Sequence, residues 1–202
     1  MCCNVYYDLK RYEEALSAYE QALILDPGSA LAWNGKSNVL RKLKRYAQAL
    51  LVYEEALRLY PNLAPFWNNK GIVLGELKRY EEALLAHEEA LRVDPKSAKA
   101  WNGKGYVLYA LKQYEEALSA YEEALRVDPN DVSIWSNKGD VLRSLRRYAE
   151  ALSAYEEALC VDPKYVYAWS AKGVTLRALR RNDEALAAHE QARLLGHNST
   201  SA

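Results

Sequence analysis

An asparagine or serine directly follows each of the five tryptophans of the chain, at Asn34, Asn68, Asn102, Ser136 and Ser170, and Asn69 and Asn137 stand beside two of them. A carboxamide donates and accepts hydrogen bonds at once, so a line of them can hold a peptide backbone whatever its side chains. Asparagine also favours a solvated helix start near a cap, and that reading stands beside the first. Further along come Asn38, Ile72, Tyr106, Asp140 and Val174, then Arg41, Gly75, Tyr109, Arg143 and Arg177. Tyr106 and Tyr109, with Tyr167, suit an apolar or proline-containing side chain, or else simply line a surface. Arg143 and Arg177 suit an acidic group.

Acid–base, nucleophilic and metal chemistry have no such foothold. His87 and His189 occupy the slot that Tyr19, Tyr53, Tyr121 and Tyr155 fill elsewhere, and read as packing substitutes that keep a ring and a polar tip. Adjacent glutamates of the recurring Glu-Glu pairs project about 100° apart on a helix, so they do not make a paired acid and base. No Gly-rich phosphate loop, nucleophile elbow or His-x-x-x-His pair occurs. Cys2 and Cys3 adjoin while Cys160 is remote, which fits neither a disulfide framework nor a metal-ligand spacing. The expectation is a protein that is not an enzyme and takes no cofactor or metal.

The 202 residues balance 27 Lys+Arg against 27 Asp+Glu, with a pI near 6.8. Zero net charge provides no general attraction to nucleic acid or anionic lipid, so neither is an expected partner. No apolar run of membrane-spanning length occurs, and Met1-Cys2-Cys3-Asn4 lacks the basic and apolar regions of a secretory signal. A cytoplasmic location is expected.

The elements that must position these groups are set by a repeat. Trp33, Trp67, Trp101, Trp135 and Trp169 advance in steps of 34 residues, and Pro27, Pro61, Pro95, Pro129 and Pro163 keep the same step. Within one unit, Ala98 to Asp131, apolar residues at Trp101, Val107, Leu108 and Leu111 have helical spacing. A second set, Tyr114, Ala117, Leu118, Tyr121, Ala124 and Leu125, follows the 3.6-residue period for three turns. Each unit is therefore two amphipathic helices. Lys112-Gln113 separates them, and Asp128-Pro129 ends the second, because proline cannot continue a helix. Ser29, Asn62, Ser97 and Asp131 are placed to cap the next helix. Gly71, Gly105, Gly139 and Gly173 are expected to face Ala83, Ala117, Ala151 and Ala185, which would let the two helix axes approach closely.

On Trp101, Gly105, Leu108, Tyr114, Ala117, Tyr121, Ala124 and Pro129 the chain resembles the tetratricopeptide repeat family, and its Trp-Asn-x-Lys-Gly units are similar to those of long bacterial and archaeal arrays. Lys36, Lys70, Lys104, Lys138 and Lys172 depart from it, standing where the family commonly has leucine. The resemblance implies an all-α, right-handed superhelical solenoid of 34-residue helix-turn-helix repeats whose first helices line a concave, peptide-binding face. The expected array spans 1–195, with a partial repeat over 1–29 and repeats at 30–63, 64–97, 98–131, 132–165 and 166–195, followed by a disordered tail at 196–202. The resemblance also brings up a carboxylate clamp found in some relatives. Asn38, Asn69 and Lys99 match three of its places, but Asn34 and Gly103 stand where two cationic donors belong, so capture of a chaperone's carboxyl terminus is not expected.

The basic pairs Lys10-Arg11, Lys44-Arg45, Lys78-Arg79, Arg146-Arg147 and Arg180-Arg181 read as complements of the first helices' C-terminal dipoles, with Glu-Glu serving the next N-termini. At the far end Asn182, Arg193 and His197 replace Tyr, Leu and Pro, as suits a repeat on which nothing stacks, although Leu179, Leu186 and Leu194 leave an apolar patch. The start falls in mid-repeat, which suggests a piece of a longer chain or an end that packs on another molecule. The expected function is a protein–protein interaction scaffold that binds a peptide or partner helix in the concave groove. The alternatives are a regulatory or substrate-docking segment of a larger signalling enzyme, and self-assembly into a homo-oligomer through exposed repeat ends, the N-terminal one above all.

Overall fold

The computed structural model describes residues 11–199, with side chains through Gly196. Among the described residues there are eleven helices and no strand: α1 (Tyr12–Leu25), α2 (Ala30–Lys42), α3 (Tyr46–Leu59), α4 (Ala64–Glu76), α5 (Tyr80–Val93), α6 (Ala98–Ala110), α7 (Tyr114–Val127), α8 (Val132–Ser144), α9 (Tyr148–Val161), α10 (Val166–Ala178) and α11 (Asn182–Ser199). The partial helix expected before Lys10, with Cys2 and Cys3, lies outside them. The helix α11 continues through residues 196–199, where a tail was expected. Contacts divide the chain into two compact units, residues 1–103 and 104–202, the division falling inside α6. In the first unit each helix from α1 to α5 packs on the next. In the second the same holds from α7 to α11, and α8 also meets α10.

Each first helix turns into its second through a residue with left-handed backbone. Lys44, Lys78, Lys112, Arg146 and Arg180 have φ between 58° and 62°. The hydrogen bonds are those of a Schellman motif: the Arg45 N–H donates to the Leu40 carbonyl at 2.8 Å and the Lys44 N–H to the Arg41 carbonyl at 3.0 Å. Glycine is the usual residue there, so a lysine or arginine costs about 1 kcal/mol per turn. The basic pairs that complement the dipole thus also supply the strained turn residue.

The return turn explains why tryptophan and proline share one period. In every unit the indole N–H donates to the carbonyl of the proline six residues earlier, from Trp33 to Pro27 at 2.9 Å through Trp169 to Pro163 at 2.9 Å. Asp26, Asp94, Asp128 and Asp162 tighten the turn by accepting from the N–H two residues on. Ser29, Ser97 and Asp131 cap the helices that follow. Asn62 does not: α4 starts after Leu63, without a side-chain cap, and Pro65 lies in its first turn, where its missing N–H is no loss.

The small residues of the first helices make room for rings rather than for alanines. A methyl group added at Gly105 would lie 2.8 Å from the Tyr121 ring, and one at Gly139 would lie 2.5 Å from that of Tyr155. His87 lies against Gly71 and Gly103 together, and His189 against Gly173. Ala83, Ala117, Ala151 and Ala185 are buried on the second helices. The lysines that depart from the family pattern have a structural task. Lys36 reaches Glu20 at 3.2 Å, Lys138 reaches Glu122 at 3.2 Å and Lys172 reaches Glu156 at 2.9 Å, each tying a first helix to the second helix of the preceding pair. Lys138 and Lys172 also lie over Trp135 and Trp169, at 5.6 and 5.5 Å from the ring centroids.

Candidate functional site

On the first helices of the unit ending at Gly103, the carboxamides engage one another. Asn69 Nδ2 donates to Asn34 Oδ1 at 3.0 Å, across one repeat, and Asn68 Nδ2 lies 3.5 Å from Asn69 Oδ1. Asn68 is only 6% exposed and its Oδ1 is buried without a partner among the described residues, so it is withdrawn from the surface on which the sequence placed it. Asn38 accepts from the Tyr53 hydroxyl at 3.2 Å. Asn102 is half-buried and Lys99 exposed. Asn38 and Asn69, two of the matches to the carboxylate clamp, thus each commit part of their hydrogen-bonding capacity to an internal partner.

In the second unit the site is built around one carboxylate. Asp140, on α8, accepts at Oδ1 from the Tyr155 hydroxyl at 2.8 Å and from Arg143 Nη2 at 3.0 Å, and at Oδ2 from the Tyr167 hydroxyl. Burial raises the pKa of Tyr155, and the adjoining Asp140 charge raises it further. Burial likewise raises that of Tyr167, followed by its hydrogen bond to Asp140, so both phenols stay protonated and serve as donors. Tyr109 hydrogen-bonds with Ser144 Oγ at 3.2 Å, and that hydroxyl donates to the Asp140 carbonyl at 2.9 Å. Tyr106 and Tyr167 remain 54% and 47% exposed. The structure therefore brings Tyr109, Asp140, Arg143 and Tyr167 into one bonded group. Asn137 is half-buried beside them on α8, while Arg177 stands exposed on α10 with no ion pair among the described residues.

Sequence reasoning missed Tyr155 and Tyr53 as anchors of this face, although a signal was present. The ring slot and its partner lie 15 residues apart, and the ring is tyrosine where the partner is polar, as in Asn38/Tyr53 and Asp140/Tyr155. It is histidine where the partner is aliphatic, as in Ile72/His87 and Val174/His189. A phenol needs an acceptor when buried, and a histidine, one atom shorter, does not reach that far.

Chemically, this arrangement offers rings, carboxamides and guanidinium groups for contact, with no nucleophile placed against a base. No group of three or more His, Cys, Asp or Glu suited to a metal occurs among the described residues, and none of their helices is long and apolar enough to cross a membrane. A stack of paired helices presenting polar and aromatic side chains defines an all-α repeat protein of the interaction-scaffold kind, generally without catalytic activity. Residues 64–97, 98–131 and 132–165 each match the tetratricopeptide repeat, and residues 4–64 match a second model of that repeat, so the chain belongs to the tetratricopeptide repeat family. No curated protein sequence matches it. Among solved structures it is similar to pilF of Pseudomonas aeruginosa, at 25% identity and a TM-score of 0.83 over 96% of this chain and 88% of that one. YrrB, a tetratricopeptide repeat protein with an unusual peptide-binding site, is 25% identical with a TM-score of 0.66 over 92% and 98%. MamA, at 18% identity, shares the fold with a TM-score of 0.74 over 82% and 97%.

Proposed function

We propose that this chain is a non-catalytic, cytoplasmic scaffold that binds a peptide or partner helix of another protein on the face formed by its first helices, without cofactor or nucleic acid. The observation that carries the reading is the group around Asp140, where one carboxylate holds the Tyr167 ring and the Arg143 guanidinium in place while Tyr106 stays exposed. Aromatic rings that are ordered before binding lose little entropy when a ligand arrives, and a fixed guanidinium beside them adds a donor for an acidic group. The peptide-binding site of YrrB is a parallel on the same fold. In the first unit the partly exposed carboxamides of Asn34, Asn69 and Asn102 are the backbone-contacting candidates; Asn68 is too deep.

The test is selection of displayed random peptides on the wild-type protein, followed by affinity measurement on Tyr106→Ala/Tyr167→Ala and on Arg143→Ala. Selected peptides are expected to weaken by about tenfold or more on the double variant, as for interface anchors. Peptides that bind all three proteins alike would refute a site on this face. A second reading, self-association through a repeat end, draws on Leu186, which is 65% exposed while Leu118 and Leu152 at the same repeat position are 8% and 7%. Sedimentation across a concentration series decides it: a wild-type oligomer lost on Leu186→Ser supports it, and a monomer throughout ends it.

A further inference from the structure

The outward position of the six described second helices holds a small residue in four, with Ser17 on α1, Ser119 on α7, Ser153 on α9 and Ala187 on α11. Two consecutive second helices of the first unit break this pattern with leucine. Leu51 on α3 and Leu85 on α5 are 62% and 63% exposed. Packing does not ask for them, since the core-facing positions of those helices are filled by Leu50, Val52 and Tyr53 on α3 and by Ala83, Ala86 and His87 on α5. Two exposed leucines at one repeat position, where the other second helices carry serine or alanine, give this face an apolar feature that packing does not require.

Leu51 also borders a cleft of about 440 Å³ between α1 and α3, floored by Lys36 and Leu40 of α2, with Val52 and Glu55 on the same wall. The corresponding cleft between α7 and α9 is about 320 Å³ and carries Ser153 and Ala154 in those places. The charge on the two helices is mainly acidic, and the cations Lys36 and Arg45 that line the cleft beside Leu51 are paired with Glu20 and Glu13. The helices α3 and α5 bear Glu54, Glu55, Glu81, Glu82, Glu88 and Glu89 against Arg58 and Arg92. Glu54 is taken up by Lys70, Glu82 by Arg79 and Glu89 by Arg92. Glu55 and Glu81, both exposed, have no ion pair among the described residues, and each lies one helical turn from a leucine, at Leu51+4 and Leu85−4.

We propose that the Leu51/Leu85 face of the second helices docks a basic amphipathic helix of a partner protein, its apolar stripe on the two leucines and its lysines or arginines on Glu55 and Glu81. The glutamates repel an anionic lipid surface, and the like charge of a second copy's same face disfavours self-docking. This face is formed by the second helices and is independent of the one assigned above to the first helices.

The probe is a fluorescein-labelled helix of about 18 residues, leucine and lysine with leucines at amphipathic spacing, compared by anisotropy with the same peptide carrying glutamate for lysine. Wild type is expected to bind the lysine peptide and not the glutamate one, and to lose affinity as salt rises. Leu51→Ser/Leu85→Ser restores the residue that the chain uses at the same position elsewhere, so the helix content is expected to stay unchanged while affinity falls about tenfold or more. Glu55→Lys/Glu81→Lys weakens binding as well, and Tyr106→Ala/Tyr167→Ala leaves it unchanged. Equal affinity for both peptides, or undiminished affinity of the serine variant, overturns the proposal. So does concentration-dependent self-association of the wild type that the serine pair abolishes, which assigns the face to a second copy.

Discussion

His87 is 1% exposed, its imidazole lies against Gly71 and Gly103, and its Nδ1 has no partner among the described residues. Burial lowers its pKa from 6.5 to about 4, with no neighbouring charge offsetting the effect. In the unfolded chain the ring takes up its proton near 6.5, whereas in the folded chain it resists protonation until about pH 4. The unfolded state therefore binds more protons in that window, so stability is whole above pH 6.5 and is lost as pH falls toward 4. The full difference is on the order of 3 kcal/mol, of which about 2–3 kcal/mol is gone by roughly pH 4.5. The assay is chemical denaturation of wild type and His87→Phe at about pH 7.5 and about pH 4.5, since carboxylates common to both proteins cancel in the comparison. Wild type should lose about 2–3 kcal/mol more than the variant over that interval. Repeat arrays open in parts, so hydrogen exchange on α4 and α5 amides localises the loss. Equal pH dependence of the two proteins, or an NMR midpoint for His87 near its ordinary value, would refute the reasoning.

The turn residues and the ring-bearing glycines lead to two more expectations. Lys78→Gly and Arg146→Gly relieve a left-handed backbone at exposed positions, and each should stabilise by about 1 kcal/mol, read as a rise in denaturation midpoint without a change in slope. A lower midpoint for both would show that the lysine and arginine side chains outweigh the strain. Gly139→Ala would set a methyl group 2.5 Å from the fully buried Tyr155 ring, so despite alanine's higher helix propensity it should destabilise by about 1–3 kcal/mol. Gly196→Ala, whose added methyl group would meet nothing within 4 Å, is the matched control and should be neutral or mildly stabilising in the same thermal melts.

Much of the helical architecture was legible because each unit repeats the demand. Apolar residues recur at 3.6-residue spacing, proline follows every second helix but α11, and a copy of the same pattern 34 residues away supports each helix. Asn62 misled because capping was inferred from residue type alone, whereas α4 begins one residue later and proline supplies its start. The glycines were read against alanines because both are small, but whether a ring lies over a glycine depends on side-chain direction, which spacing does not give. The left-handed turn residues left no mark at all, since lysine and arginine carry no preference for positive φ.

The candidate site divides in the same way. The sequence by itself determined which positions of the first helices are equivalent, because a 34-residue period brings them into register: Asn34 with Asn68 and Asn102, Asp140 with Tyr106, Arg143 with Tyr109 and Arg177. It also determined the departures that carry individuality, the two outward leucines among three serines and an alanine, and the two histidines among tyrosines. Only the tertiary structure decided which of these groups remain available. It buried Asn68, tied Asn69 to Asn34, and made Asp140 the internal acceptor for Tyr155, Tyr167 and Arg143. The reason is physical: period and polarity fix the side of a helix on which a residue lies, but a polar group on that side bonds to whichever partner the neighbouring helix brings within about 3 Å, and that distance belongs to the packing of two helices rather than to the pattern of either.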